Sequence, residues 1–65
     1  MRYRVWLTNF DYPIHESDDI DKAKQACEKA GFECRVNVLD ERDIEEGFFS
    51  WSPLQGYSSM TWNYL

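Results

Sequence analysis

The side chains best able to do chemistry in this sequence are few, and their spacing limits what they can do. His15 stands beside Glu16, Asp18 and Asp19, a donor set that suits a divalent cation. Ligands so close together at a strand-to-helix junction do not all converge on one ion, and no fourth ligand suggests itself. His15 is therefore expected to be a surface side chain, and no metal site is predicted. Cys27 and Cys34 are the two thiols. Their seven-residue spacing is not that of a CxxC redox motif, and two cysteines are too few for a secreted disulfide scaffold, so both are expected as small, reduced core residues. A nucleophile-and-base pair would have to use His15, the single imidazole. Gly31, Gly47 and Gly56 are too dispersed for a phosphate loop, and neither a nucleophile elbow nor H-E-x-x-H is present. The chain is expected to be non-enzymatic and without a cofactor.

The remaining chemistry is that of binding. The formal net charge of −5 hides a partition: residues 1–10 carry Arg2 and Arg4 and no acid, while residues 11–46 hold all twelve acids. Residues 47–65 have no charged side chain but hold Phe48, Phe49, Trp51, Tyr57, Trp62 and Tyr64. Asp40, Glu41, Asp43, Glu45 and Glu46 place five acids within seven residues. Such a run either solvates a surface or steers the chain toward a basic groove, and these five are the candidates for electrostatic recognition. Trp6 and Trp51 are the candidate aromatic anchors, because Trp supplies large, rigid contact area. The alternative for the aromatic tail is that it completes the core; homodimerisation through an aromatic face would serve both ends. The acidic balance argues against direct nucleic-acid binding. Arg2, Arg4 and Arg35 on the same outward face as Trp6 would nonetheless suit a single-strand binder that stacks bases, and a structural homo-oligomer or virion component is the third alternative.

The elements that must position these groups follow from periodicity. Tyr3, Val5 and Leu7 alternate with Arg2, Arg4, Trp6 and Thr8, which predicts a half-buried strand over 2–9. A short second strand is expected over 12–16, and Pro13, which cannot donate to a ladder, places it at a sheet edge or pairs it on one side only. Ser17 or Asp18 caps a helix whose stripe is Ile20, Ala23, Ala26, Cys27 and Ala30. Gly31 ends that helix in a left-handed conformation, with Phe32 folding back on the last turn. A strand over 32–39 turns Phe32, Cys34, Val36 and Val38 inward. Asp40 to Glu46 fits a loop or one helical turn closed by Gly47, Phe48 to Ser52 a strand, Ser52 to Gly56 a turn, and Tyr57 to Tyr64 a further alternating strand. The expected fold is α+β: an antiparallel sheet of four or five strands with one helix packed on one face, ββαββ-like.

Sixty-five residues make one small domain, 1–65, of marginal stability, for which burial by a partner is a plausible aid. The N-terminus lacks the apolar stretch of a secretory signal and no run reaches the length of a membrane span, so a soluble, cytoplasmic protein without membrane attachment is expected.

At Tyr3-Arg4-Val5-Trp6, Ala30-Gly31-Phe32 and Trp51-Ser52-Pro53 the layout resembles that of small accessory proteins encoded by tailed bacteriophages. The resemblance spans most of residues 3–53. It implies a factor that binds and inhibits a host enzyme or defence complex in the host cytoplasm, and the acidic surface suggests a target that handles nucleic acid. The expected partner is thus a host protein, engaged through Trp6, Trp51 and the acids of residues 40–46.

Overall fold

The computed structural model describes residues 1–58. The element order is β1 (Arg2–Leu7), β2 (Pro13–Ser17), α1 (Ile20–Ala30), β3 (Cys34–Leu39), β4 (Glu45–Ser52) and β5 (Gly56–Tyr57). All five strands join one antiparallel sheet in the order β2-β1-β3-β4-β5, an α+β fold with one strand more than ββαββ. Pro13 opens β2, and β2 lies at the sheet edge and pairs only with β1, as a residue without an N–H donor requires. No helix among the described residues is long and apolar enough to cross a membrane.

The helix begins one residue later than the expected caps. Asp19, not Ser17 or Asp18, is the N-cap, and its carboxylate accepts from the Asp21 N–H at 2.8 Å. At the other end Gly31 has φ +75°, and its N–H donates to the Cys27 carbonyl at 3.1 Å. A Cβ at Gly31 would meet nothing within 4 Å, so only backbone strain opposes a side chain there. Gly31→Ala is expected to cost about 1 kcal/mol, read as a lower denaturation midpoint with an unchanged slope.

The buried cluster consists of Val5, Ala23, Cys27, Cys34, Val36, Val38 and Phe49. Val5 pairs with Val36 and Val36 with Phe49, so one side of three adjacent strands supplies the sheet's share. The small side chains Ala23 and Cys27 are the helix's share, which lets α1 approach closely. Tyr3, Leu7, Ile14, Ile20, Ala26, Ala30 and Trp51 pack around this cluster.

Two expectations are corrected. Phe32 is neither inward-facing nor folded onto the helix: it is 69% exposed and precedes β3. The left-handed turn at Gly31 breaks the alternation, so the inward set starts only at Cys34. Of the two alternatives for Asp40 to Glu46 the loop holds and the helical turn closed by Gly47 does not. Gly47 is buried within β4 opposite Val38, and β4 begins at Glu45. The residues between β3 and β4 form a turn closed by Asp40, with Asp43 at φ +62°, a conformation that Asp tolerates. Beyond Gly56–Tyr57, the strand expected to run to Tyr64 lies outside the described residues.

Candidate functional site

The strand register fixes which side chains share the face opposite the buried cluster. Arg4 pairs with Asn37 and Asn37 with Phe48; Trp6 pairs with Arg35 and Arg35 with Ser50. Arg2, Arg4, Trp6, Arg35, Asn37, Phe48 and Ser50 therefore alternate with the core residues and point the other way. Glu16, opposite Arg4 on β2, and Glu45, at the start of β4, join them.

Contacts organise this face into a central platform with charged flanks. The guanidinium carbon of Arg35 lies 4.0 Å from the centroid of the Phe48 ring, a stacked cation–π contact. Trp6 is the cross-strand neighbour of Arg35 on the opposite side. The register thus places Trp6, Arg35 and Phe48 on neighbouring strands β1, β3 and β4 of this face, with Arg35 and Phe48 in contact. On one flank Arg4 donates through Nε and Nη2 to Glu16 Oε1 at 3.1 and 2.7 Å, and Arg2 Nη2 lies 3.1 Å from the same oxygen. On the other, Asn37 Nδ2 donates to Glu45 Oε1 at 2.7 Å and Arg35 Nη2 at 3.4 Å. Three guanidiniums stand against Glu16 and Glu45, and Asp43 Oδ1 lies 3.9 Å from Arg2, so the positive charge of this face is balanced by neighbouring carboxylates.

The Arg4 hydrogen bond holds the Glu16 carboxyl below its ordinary 4.5. A depressed carboxyl stabilises the fold above its unfolded pKa and loses that contribution as pH falls through the folded one. Melting temperature should therefore drop on acidification below about 4.5, and drop less steeply in Glu16→Gln. Equal slopes for the two proteins would show that the exposed pair contributes nothing to the fold.

The seven site candidates are dispersed. Trp6 lies on the platform, whereas Trp51 pairs with Cys34, packs against the buried cluster and has its ring centroid 6.3 Å from that of Tyr57. The two tryptophans therefore point to opposite sides of the sheet. Of the acids, Asp40 accepts from the backbone N–H groups of Arg42 and Ile44 at 2.8 and 2.9 Å. Those bonds, the Ile44 one foremost, hold its carboxyl below the usual range, so Asp40 is occupied in closing the turn. Glu45 is turned onto the platform face, Asp43 Oδ1 is 3.9 Å from Arg2, Glu41 is exposed, and Glu46 is the extra residue at the β3–β4 bulge. Asp40, Glu41 and Glu46 line one shallow hollow together with Arg42, whereas Asp43 and Glu45 lie toward Arg2 and the platform. Phe48, Arg35 and Asn37 complete the platform; the outward alternation of β3 and β4 was the available signal for them.

The other chemically capable groups have structural partners. Ser17 Oγ donates to the Asp19 carbonyl at 3.2 Å and shares a hydrogen bond with His15 Nε2 at 3.0 Å. His15 thereby braces the entry to α1. Burial, with Cys34 as neighbour, pushes the Cys27 thiol up to about 12, and burial also raises Cys34. Both stay protonated and shielded. Burial, followed by the Glu28 carboxylate, raises Tyr57 to about 12, and its hydroxyl donates to the Lys24 carbonyl at 3.2 Å, tying β5 to α1. Among the described residues, no three His, Cys, Asp or Glu side chains are grouped to hold a metal. In comparisons with known proteins, no family model, no curated protein and no solved structure matches the chain.

Proposed function

We propose that this chain is a non-catalytic protein-binding module in which α1 packs on one face of the sheet and the other face, centred on Trp6, Arg35 and Phe48, receives the partner. The observation that carries this is the platform itself: two aromatic rings and a stacked guanidinium lie on neighbouring strands of the sheet face turned away from the buried cluster. Trp and Arg dominate the energetics of protein interfaces, and a flat strand surface presents them at low conformational cost. Without catalysis such a module acts by occupancy. The proposal therefore extends to the inhibitor of a host nucleic-acid-handling enzyme or defence complex that the bacteriophage resemblance implies. The exposed acids outside the platform would supply long-range attraction to a basic target.

The test is recovery of a stoichiometric protein from bacterial lysate on the immobilised chain, with retention that weakens as salt rises. Recovery of nothing at low salt would reject the proposal.

A second reading has one specific observation in its favour: Arg2, Arg4 and Arg35 share their face with Trp6 and Phe48, the composition of a base-stacking surface. Against it, Glu16 and Glu45 neutralise most of that positive charge. A labelled single-stranded oligonucleotide separates the two, since the protein-binding module gives no mobility shift.

A further inference from the structure

A groove of about 400 Å³ opens at one end of the sheet, lined by Leu7, Thr8, Asn9, Phe10, Phe32 and Glu33. Its walls are the turn between β1 and β2 and the segment joining α1 to β3. The aromatic side chains here are not used by the core: Phe10 is 45% and Phe32 69% exposed, and neither belongs to the buried cluster or packs against it. Tyr12, 62% exposed, lies against Phe10 with ring centroids 5.4 Å apart. Three large exposed rings at one end of so small a chain form a patch, not scattered apolar surface.

The walls are fastened at a fixed spacing. The Thr8 N–H and hydroxyl both donate to the Glu33 carbonyl, at 3.3 and 3.2 Å, joining one wall to the other. The Phe10 N–H donates to the Leu7 carbonyl at 3.1 Å, and the Cys34 thiol donates to the Phe32 carbonyl at 3.2 Å. With Gly31 in its left-handed turn just before Phe32, the groove is formed before anything binds, so little ordering cost falls on the ligand.

We propose that this groove is a second docking site, which takes one large aromatic or aliphatic side chain from a protein segment that carries Lys or Arg beside it. The occupant follows from charge. Glu33 lines the groove, Asp11 separates Phe10 from Tyr12 in the adjoining turn, and none of the six lining residues is cationic. A second copy docked groove to groove about a twofold axis would bring Glu33 and Asp11 toward their own counterparts, and a polyanion would meet carboxylates; a basic, apolar segment meets neither penalty. None of the six lining residues is Trp6, Arg35 or Phe48, although a neighbouring hollow shares Thr8 and Glu33 with the groove and runs on to Arg35 and Phe48.

Panning a phage-displayed library of random linear peptides against the full-length chain tests this. Among the enriched peptides, one class should lose about tenfold or more in affinity with Phe32→Ser and with Phe10→Ser and be unaffected by Trp6→Ala. That class should share an aromatic or large aliphatic residue flanked by Lys or Arg, and Glu33→Lys should weaken it. Phe32 is exposed, so Phe32→Ser should melt like the wild type, which separates lost binding from lost folding. The proposal is overturned if no enriched peptide depends on Phe32 and Phe10, if the dependent peptides are acidic or uncharged, or if a concentration-dependent dimer disappears with Phe32→Ser. Peptides that depend on Trp6 alone would support the platform while rejecting the groove.

Discussion

Phe49→Ala should remove about 3–5 kcal/mol of folding stability, the largest loss expected from any single substitution among the described residues. Phe49 is 3% exposed and, among the described residues, is the one aromatic ring in the buried cluster, where the other members are Val, Ala and Cys. It lies opposite Val36 on β3, so truncation opens a cavity against the central strands, where small neighbours cannot collapse to fill it. A domain of this length has roughly 3–10 kcal/mol in total. The variant should therefore be partly or wholly unfolded in water at 25 °C, seen as loss of the cooperative urea transition in circular dichroism. A midpoint within about 1 kcal/mol of the wild type would mean that Phe49 is not the keystone of the core.

Trp6→Ala should weaken partner binding by about 30-fold or more, equivalent to ~2 kcal/mol, which is the scale of a central aromatic anchor. Trp6 lies on β1 between Pro13 of the edge strand and Arg35 of β3, and Arg35 in turn stacks on Phe48. Removing the indole takes away the large rigid contact area that β1 contributes to this face and leaves only the Arg35–Phe48 pair. Because Trp6 is half-buried, some stability is lost with it, and affinity must be measured at a temperature where the variant is folded. Arg35→Glu offers an independent perturbation. It keeps a polar side chain at an exposed position but places a second carboxylate beside Glu45, and it should weaken binding in the same direction.

The parts of the fold with strong periodicity were legible in the sequence. The alternation of Arg2 to Leu7, the small-residue stripe from Ile20 to Ala30 and the set Cys34, Val36 and Val38 each carry their own burial pattern, and the structure follows them. Pro13 signalled an edge because it lacks a donor. Phe32 departs from the alternation of β3 because the left-handed backbone at Gly31 resets it. The start of β4 was obscured because Glu45 and Glu46 are poor strand formers in isolation. Asn37 and Arg35, eight and ten residues away, supply the hydrogen bonds to Glu45.

The site was legible in composition but not in arrangement. That Trp6 faces away from the core follows from its place beside Val5, and the outward positions of Arg2, Arg4 and Arg35 follow by the same parity. Which strands are neighbours decides the rest. The pairing of β1 with β3 and of β3 with β4 puts Arg35 between Trp6 and Phe48 and sends Trp51 to the opposite side. The acids of residues 40–46 look like one feature in the sequence, yet Asp40 is consumed by its own turn and Glu45 by the sheet, through hydrogen bonds that a one-dimensional charge run does not reveal.

The central claim is that the face bearing Trp6, Arg35 and Phe48 is where a protein partner binds. Its most direct test is a side-by-side comparison of the wild type and a Trp6→Ala, Phe48→Ala double variant, both immobilised and challenged with the same bacterial lysate at low salt. The wild type should retain one protein in stoichiometric amount, and the double variant, shown to melt cooperatively, should release it. Equal retention by both, or retention of single-stranded nucleic acid in place of a protein, would contradict the claim.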